Sequence, residues 1–151
     1  MSSYKIRIDI KEQTLQLLHD QRIVHQFAVS TSRFGVGQDS GSFQTPLGLF
    51  RIYQKIGDDQ PLNTVFRGRV PLASPSDWES GSDLITSRIL WLDGIEPHNQ
   101  NTRGRFIYIH GTNEEQLIGQ PASHGCVRMR NTDVARLFDL VEAGTEVEIL
   151  G

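Results

Sequence analysis

Six segments of this chain carry the apolar alternation, or the β-branched and aromatic residues, that are typical of β-strands, and polar turn residues separate them. The first segment is the clearest, because every second position in it is apolar. A side-chain period of two places these residues on one face of a strand, and that face must be covered. The predicted strands are residues 4–10, 14–19, 22–30, 47–56, 84–92 and 105–110.

Near the C-terminus the apolar period changes from that of a strand to that of a helix. Asn131 or Thr132 is expected to cap the start of this helix, and Gly144 to end it. Residues 145–150 then alternate as a last strand. The predicted class is therefore mainly β with a C-terminal helix (α+β). The positions at i, i+3, i+4 and i+7 that indicate one buried helix face are Val134, Leu137, Phe138 and Val141.

Residues 58–82 contain Pro61, Pro71 and Pro75 together with several glycine, serine and aspartate residues. This composition predicts one long loop, and loops of that length in compact domains tend to be functional. We expect the loop to form one wall of a substrate cleft.

The chain has 151 residues, which suits one domain spanning residues 1–151. The net charge of −3 argues against a nucleic-acid partner, and lone basic residues are expected to be solvated surface. Residues 1–10 begin directly with strand-like alternation, and no apolar stretch approaches a membrane span. With one cysteine in the chain, these features predict a cytoplasmic protein, or a periplasmic one if a precursor segment was removed.

The single cysteine, Cys126, follows Ser123, His124 and Gly125 in a polar segment that is interpreted as an exposed turn. A lone cysteine is usually a buried apolar residue, but a thiolate nucleophile needs a base or an electropositive group beside it. His124 and the upstream His110, which ends a predicted strand, both qualify as the base. The pattern therefore predicts a cysteine nucleophile.

These residues resemble the L,D-transpeptidase (YkuD-type) catalytic domain family, and the resemblance covers nearly the whole chain. It implies an L,D-transpeptidase-like β-sandwich with the nucleophile on a loop beside the sheet, acting on peptidoglycan stem peptides. No cofactor and no metal is implied. The segments that carry the resemblance are 109–112 (Ile-His-Gly-Thr), 118–119 (Ile-Gly), 123–129 (Ser-His-Gly-Cys-Val-Arg-Met) with Asp133, 45–50 (Thr-Pro-Leu-Gly-Leu-Phe) and 87–90 (Ser-Arg-Ile-Leu).

The resemblance also implies a role for each catalytic residue. Cys126 attacks the carbonyl of the third stem residue, which forms a thioester as the terminal D-alanine leaves. His110 is the expected general base, with a core histidine as the alternative. His124 is expected to orient the loop or to donate toward the oxyanion. The backbone N–H groups of Gly125 and Cys126 would complete the oxyanion hole.

Substrate contacts are expected from Arg128, Ser123, Gly111 and Thr112. Arg128 could bind a substrate carboxylate through its planar guanidinium, or could form an internal salt bridge to Asp133 or a nearby glutamate. Ser123 could instead support its turn through hydrogen bonds to the backbone. Some relatives have serine where this chain has Gly111, so the backbone must orient the base here.

Three functions remain open. The preferred hypothesis is a cytoplasmic L,D-carboxypeptidase that trims D-alanine from tetrapeptides in peptidoglycan recycling, because the chain shows no export signal, membrane anchor or wall-binding module. The alternatives are an L,D-transpeptidase that forms cross-links or exchanges D-amino acids, and a non-catalytic muropeptide sensor. By resemblance, carbapenems are expected to acylate the cysteine.

The main alternative chemistry is a zinc site built from His110, His124 and Cys126, with water as a fourth ligand. No paired histidine spacing and no second cysteine supports it. The other three histidines lie in or near polar segments and are expected to be surface residues; they are His19, His25 and His98.

Overall fold

The computed structural model describes residues 3–72 and 84–151, and within them the chain is mainly β with one α-helix near the C-terminus. The predicted class is therefore confirmed. In chain order the strands are β1 (Tyr4–Asp9), β2 (Thr14–His19), β3 (Arg22–Ser30), β4 (Gly48–Ile56), β5 (Val65–Arg67), β6 (Val70–Pro71), β7 (Ile85–Gly94), β8 (Tyr108–Thr112), β9 (Val127–Met129) and β10 (Glu146–Leu150). Helix α1 (Asn131–Leu140) precedes β10, and short 3-10 turns lie at Pro97–Asn99 and Glu115–Leu117.

These strands form one sheet in the order β4-β10-β1-β2-β3-β9-β8-β7-β5-β6. Strand β4 also pairs antiparallel with β7, so eight of the strands close into a ring and β5 and β6 form an extension. The predicted sandwich is thus realised as one sheet that closes on itself, which leaves β4 and β7 without an open edge. Most pairs are antiparallel, but β1 with β10 and β8 with β9 are parallel.

The core is built from alternate strand positions, as the sequence pattern predicts. In β1, Ile6 and Ile8 are fully buried, and their neighbours in β10 are Val147 and Ile149. The apolar stripe of α1 joins the same core cluster and packs against β7 and β8. No helix among the described residues has the length and apolar character needed to cross a bilayer.

Strand β8 begins three residues later than predicted. Residues 101–106 instead form a turn, in which the Arg105 N–H donates to Asn101 O at 3.0 Å and the Phe106 N–H donates to Arg103 O at 3.0 Å. Phe106 has φ +58° and is 50% exposed, so it is not part of a buried strand. The prediction failed here because a continuous apolar run does not show at which residue a strand begins, and a turn can expose its first member.

The long loop predicted for residues 58–82 contains a short hairpin, which corrects that prediction. Strands β5 and β6 pair through Arg67 and Val70, with Gly68 (φ +56°) and Arg69 (φ +68°) between them. Two residues with positive φ match the tightest hairpin turns. Strands this short carry too few residues for a periodic pattern. Residues 73–82 of the predicted loop lie outside the described part of the chain.

The caps of α1 also differ from prediction. Residue Arg130 holds the N-cap position without a side-chain cap. The Asn131 N–H instead donates to Glu115 Oε2 at 2.7 Å, so a carboxylate that is distant in sequence satisfies the helix start. The helix ends at Leu140, and Gly144 (φ +94°) serves the turn that leads into β10.

Asn131 joins the start of α1 to the two strands nearest the site. Its Oδ1 accepts hydrogen bonds from Thr86 Oγ1 at 2.5 Å and Ser87 Oγ at 2.6 Å, where the pairing of β7 with β8 is irregular. Its Nδ2 donates to Thr112 O at 2.9 Å, at the end of β8. This buried side chain therefore fixes β8 against β7 and the helix.

Candidate active site

Cys126 lies immediately before β9, and its side chain is half-buried against the segment that enters β8. The Tyr108 N–H donates to Cys126 Sγ at 3.3 Å, and the thiol donates to Phe106 O at 3.4 Å. A backbone N–H directed at sulfur favours the thiolate over the thiol. The structure therefore places the predicted nucleophile in surroundings that suit a reactive thiol.

The turn that carries Cys126 is held by hydrogen bonds from buried side chains. Ser123 is 1% exposed, and its hydroxyl donates to Cys126 O at 2.6 Å and accepts from the Gly125 N–H at 3.3 Å. Gly125 is also buried, has φ +124°, and its carbonyl accepts from Thr45 Oγ1 at 3.0 Å. The turn is thus mostly buried, whereas the sequence analysis predicted an exposed turn.

These contacts favour the turn-supporting alternative for Ser123, and its predicted contact with substrate stays a prediction. They also explain the Thr-Pro-Leu-Gly segment that begins at Thr45. The Thr45 hydroxyl accepts a hydrogen bond from the Ser32 N–H at 3.0 Å and donates one to Gly125 O. The segment therefore holds the nucleophile turn from the opposite side.

His110 lies on the same sheet face as Cys126. In the parallel pairing of β8 with β9, Ile109 opposes Val127 and both join the main core. One residue back along this register, Cys126 lies beside Tyr108, and His110 is two residues beyond Tyr108 on the same face, about 7 Å along the strand. The β8–β9 pairing thus places the predicted base and nucleophile on the same face of the sheet.

The proton on His110 can be assigned from its hydrogen bond. The ring is 2% exposed, and Nδ1 lies 2.5 Å from Gly111 O. A carbonyl oxygen only accepts, so Nδ1 carries the hydrogen and Nε2 carries the lone pair of the neutral ring. This is the tautomer that a general base requires.

Gly111 and Thr112 are buried and hold β8 in place, and their predicted role as substrate contacts stays a prediction. A Cβ on Gly111 would lie 2.6 Å from Thr86 O and 2.7 Å from Asn131 Oδ1, so no larger residue fits. Thr112 is fully buried, and its Oγ1 accepts from the Glu114 N–H at 3.0 Å. The backbone of Gly111 does orient the base, as expected.

His124 is exposed and is contacted by Arg33, a residue that the sequence did not single out. Arg33 Nη2 lies 2.9 Å from His124 Nε2. A guanidinium only donates, so Nε2 accepts and Nδ1 carries the hydrogen. Two exposed aromatic rings, Phe34 and Phe43, lie 5.9 Å and 6.1 Å from the imidazole, so His124 is held in one orientation.

Arg128 is 1% exposed on β9, and its Nη1 lies 3.6 Å from Glu114 Oε1. Of the two predicted roles, this contact favours an internal ion pair, with Glu114 rather than Asp133 as the partner. Burial of a guanidinium is costly unless it is paired, so Glu114 stabilises Arg128 in this position.

Two clefts meet at His124. The first, which we call the nucleophile cleft, has a volume of about 330 Å³ and is lined by Phe43, Arg105, Phe106, Ile107, His124 and Cys126, among others. The second, which we call the arginine cleft, has a volume of about 440 Å³ and is lined by Arg33, Glu114, Leu117, Pro121, His124 and Arg128, among others. His124 is therefore the wall between the thiol and a second opening that carries two guanidinium groups.

Behind Cys126 lies a group of aromatic side chains with one arginine. Arg69 Nη1 donates to Tyr108 Oη at 2.9 Å, and its guanidinium carbon lies 4.5 Å from the Trp91 ring centroid. Burial raises the pKa of the Tyr108 phenol, while the Arg69 hydrogen bond acts in the opposite direction. The phenol therefore stays neutral at physiological pH.

The three remaining histidines lie away from the thiol, and their contacts are those of surface residues. His19 is 3.8 Å from Asp20, His25 stacks on Phe27, and His98 Nε2 lies 3.1 Å from Leu47 O. Among the residues that the structure describes, no three histidine, cysteine, aspartate or glutamate side chains are arranged to hold a metal ion. The zinc alternative has no geometric support there.

The family model described as the YkuD L,D-transpeptidase catalytic domain matches residues 3–149. Among curated proteins, the chain is similar to the putative L,D-transpeptidase YqjB of Bacillus subtilis, with 46% identity over 50 residues, which are 33% of this chain and 28% of that protein. It is also similar to the probable L,D-transpeptidase YbiS of Escherichia coli, with 51% identity over 47 residues, which are 31% of this chain and 15% of that protein.

Solved structures of L,D-transpeptidases share the fold. One from Mycobacterium smegmatis superposes with a TM-score of 0.67 at 18% identity, over 99% of this chain and 59% of that chain. One from Xylanimonas cellulosilytica gives 0.67 at 22% identity, over 99% of this chain and 61% of that chain. The LdtMt1 structure with imipenem gives 0.64 at 17% identity, over 99% of this chain and 59% of that chain.

The aligned parts cover less than a third of the two curated relatives and about three fifths of the three solved chains. The low identity to the solved chains means that they show the fold alone. The family model, in contrast, spans nearly the whole of this sequence. The chain therefore belongs to the YkuD L,D-transpeptidase catalytic domain family.

Proposed function

We propose that this protein is an L,D-carboxypeptidase that removes the terminal D-alanine from peptidoglycan stem tetrapeptides through a thioester on Cys126. The observation that carries the proposal is the position of Cys126 and His110 on one face of the β8–β9 pair, with Cys126 lining the nucleophile cleft. Membership of the L,D-transpeptidase family supports the substrate class.

The reaction follows from the assigned protons. The lone pair on His110 Nε2 takes the proton from Cys126, and the thiolate attacks the carbonyl of the third stem residue. The tetrahedral intermediate then expels the amine of D-alanine, which takes that proton from His110 and leaves a thioester. Water attacks the thioester, with His110 again accepting its proton, and the tripeptide carboxylate and free thiol are released.

The oxyanion of each tetrahedral intermediate needs donors that are already in place. The proposed donors are the Cys126 and Gly125 N–H groups and the Nδ1–H of His124. The Gly125 N–H presently donates to Ser123 Oγ at 3.3 Å, which is a long contact that an oxyanion could displace. His124 lines the nucleophile cleft, and its Arg33 contact leaves Nδ1 as the protonated nitrogen.

A specific observation favours a second function, transpeptidation, because the curated relatives that match are named L,D-transpeptidases. The two functions share the acyl-enzyme and differ in the acceptor. Water enters any open cleft, whereas transfer needs an amine held near the thioester. The arginine cleft is large enough to hold such an acceptor. Product analysis with and without an amine acceptor therefore distinguishes the two functions.

The test is to incubate the purified protein with tetrapeptide, both free and sugar-linked, with and without excess D-methionine, and to follow the products by mass spectrometry. Tripeptide as the main product, even with D-methionine present, supports the carboxypeptidase. Exchange of D-alanine for D-methionine, or formation of dimers, would instead make the protein a transpeptidase. Binding without any turnover would favour a muropeptide sensor.

Cys126→Ala is the matched control for this assay. It should abolish release of D-alanine, because no other cysteine exists to form the thioester. The half-buried side chain contributes little packing, so the thermal midpoint should change by only a few degrees. A folded C126A variant that still releases D-alanine would remove the nucleophile assignment.

The cytoplasmic location of this protein stays a prediction. Tetrapeptide fragments that return to the cytoplasm during peptidoglycan recycling are the expected substrate pool. Cell fractionation of the source organism tests this directly, and a periplasmic pool would contradict it. Acylation of Cys126 by imipenem, which is bound in the LdtMt1 structure, would report thiolate reactivity without identifying the natural acceptor.

A further inference from the structure

Arg105 lines the nucleophile cleft together with Cys126. It lies in the turn before β8, and the thiol donates to the carbonyl of the next residue, Phe106, at 3.4 Å. The side chain is half-buried, whereas lone basic residues of this chain were expected to be solvated surface. Arg105 therefore places a half-buried guanidinium in the same cleft as the candidate nucleophile.

The segment formed by residues 37–44 fixes the position of this guanidinium. Arg105 Nη2 donates to Gln44 O at 2.7 Å and approaches Ser42 Oγ at 3.4 Å, and Nη1 donates to Gly37 O at 3.4 Å. All three acceptors are uncharged, so these contacts orient the guanidinium without neutralising it. The cation is thus held at the cleft by uncharged hydrogen-bond acceptors.

Electrostatic interactions connect Arg105 to the thiol. Burial lowers the pKa of Arg105, while the Cys126 thiolate and Asp39 act to raise it. The guanidinium remains protonated at every working pH. Because the attraction between two charges is mutual, a guanidinium that the thiolate stabilises must also stabilise the thiolate.

Other charged or titratable groups around Cys126 are engaged elsewhere. Arg69 donates to the phenol of Tyr108. Arg128, which is opposite His110 in the β8–β9 register, forms an ion pair with Glu114. These two arginines therefore already serve other partners.

The histidines do not supply a fixed positive charge. His124 shares the nucleophile cleft but accepts a hydrogen bond from Arg33, which is possible only at an unprotonated Nε2. His110 must be neutral before it can take the thiol proton. Among the described residues that line the nucleophile cleft, Arg105 is the one permanent cation.

We infer that Arg105 is the cation that stabilises the Cys126 thiolate, and that residues 37–44 hold it in position to do so. The inference rests on the proposed role of Cys126 as the nucleophile. When the proton moves from Cys126 Sγ to His110 Nε2, the new negative charge on sulfur lies in the same cleft as the Arg105 guanidinium. Attack on the carbonyl then consumes that charge as the carbon–sulfur bond forms, so Arg105 favours the state that precedes attack.

The pH dependence of iodoacetamide alkylation measures this directly, because Cys126 is the only cysteine and the reagent needs no natural substrate. Arg105→Gln should move the midpoint of the alkylation profile to higher pH by about one pH unit. Arg105→Lys keeps the charge and should leave the midpoint close to that of the wild type, although it loses hydrogen bonds to residues 37–44 and should unfold at a lower temperature.

Citrulline introduced at position 105 separates the charge from the hydrogen bonds. It is nearly isosteric with arginine and retains donors toward Gln44 O and Gly37 O, but it is neutral. We expect it to fold even if Arg105→Gln does not, and to raise the alkylation midpoint as the glutamine variant does. Arg103→Gln is the matched control, because Arg103 is an exposed residue of the same turn that lies 4.6 Å from the Tyr53 ring centroid, and it should leave the midpoint unchanged.

An unchanged midpoint in the citrulline protein would overturn the inference and leave Arg105 with a structural role only. A raised midpoint in the Arg103→Gln control would also overturn it, because the effect would then not depend on position. Alkylation of Cys126 and turnover of tetrapeptides are measured in separate assays, so the two proposals can fail independently. A protein that fails to process tetrapeptides but shows the Arg105-dependent midpoint would refute the proposed substrate and leave the thiolate inference standing.

Discussion

At the scale of single residues, hydrogen bonds to groups that only accept or only donate determine where the protons of this site lie. Gly111 O can only accept, so it fixes the hydrogen of His110 on Nδ1, and Arg33 can only donate, so it fixes the hydrogen of His124 on Nδ1 as well. The two imidazoles thus share a tautomer for opposite reasons. One presents a lone pair on Nε2 for proton transfer, while the other presents an N–H.

This assignment makes Arg33 a positioning residue whose removal should reduce activity. Without the guanidinium, the exposed His124 ring can adopt either tautomer and other orientations. For Arg33→Gln we expect release of D-alanine to slow on the order of tenfold, as is typical when a catalytic group is displaced. Nitrogen-15 NMR of the imidazole should show loss of the single His124 tautomer.

Arg33→Lys separates this role from a general loss of charge, since lysine also only donates and can restore the tautomer partly. Arg22→Gln is a suitable control, because Arg22 is an exposed residue at the start of β3, on a strand outside both clefts. If the His124 nitrogen shifts are identical in the wild type and Arg33→Gln, Arg33 does not set the tautomer.

At the scale of elements, helix α1 begins where it does because a tertiary contact satisfies its first N–H groups. Glu115, in a 3-10 turn after β8, accepts from both the backbone N–H and the Nδ2 of Asn131. Its carboxylate also lies at the positive end of the helix. The same contact ties the helix to the strand that carries His110.

Glu115→Ala should therefore lower the free energy of unfolding by about 1 kcal/mol, the usual cost of losing a helix N-cap. Urea denaturation followed by circular dichroism measures this change. Gln116→Ala alters an exposed residue of the same 3-10 turn and should cost much less. Equal destabilisation by the two substitutions would show that the Glu115 contact does not stabilise the helix start.

Asp133, in the first turn of α1, gives the helix a pH-dependent contribution. Burial raises its pKa above the usual 3.8, and Glu115 adds to this, while Arg130 and Arg136 act in the opposite direction. Because the folded-state pKa is the higher one, the contribution of Asp133 to stability is fully present below pH 3.8 and is lost as the pH rises through the folded pKa.

Asp133→Asn removes this loss, since asparagine does not ionise. The free energy of unfolding of the variant minus that of the wild type should therefore be larger at pH 7 than at pH 3. Urea titrations of both proteins at the two pH values give the difference directly. A variant whose relative stability is the same at pH 3 and pH 7, or is higher at pH 3, would contradict the raised pKa.

At the scale of the whole molecule, the last strand completes the sheet. Strand β10 lies between β4 and β1, so residues near the C-terminus join segments from the first third of the chain. The pairing of β4 with β7 then closes the ring that also contains β8 and β9. The position of the nucleophile therefore depends on a ring whose strands come from both ends of the chain.

Two adjacent residues of β10 test this dependence. Ile149 is 1% exposed and lies in the core, whereas its neighbour Leu150 is 40% exposed. Ile149→Ala should lower the free energy of unfolding by about 3 kcal/mol, because it leaves a cavity in the closed sheet. Leu150→Ala should cost less than about 1 kcal/mol.

Both variants are compared by chemical denaturation, with Cys126 alkylation as a second measurement. The rate of alkylation of Cys126 at low denaturant should rise in Ile149→Ala, since opening of the sheet exposes the half-buried thiol. Equal losses of stability in the two variants would mean that β10 does not close the core as described.

Three features could be predicted from the amino-acid sequence alone: the strands with long alternating patterns, the apolar face of α1 and the identity of the chemical groups. Alternation and helical spacing are local properties, and each of these elements buries one continuous face. The motif around Cys126 is likewise a local run of residues, and His110 could be singled out with it, although it lies in the middle of β8 and not at its end. The glycine at position 111 could be noticed, but not the collision with Thr86 and Asn131 that requires it.

Which groups act on one another depends on how distant segments of the chain pack together. The parallel β8–β9 register places His110 and Cys126 on one face, although 16 positions separate them in the chain. The contacts of Arg33 with His124, Glu115 with Asn131 and Arg105 with residues 37–44 join segments that no local pattern links. Burial of Ser123 and Thr112 was likewise decided by packing, because the exposure of a polar residue depends on what the rest of the chain places over it.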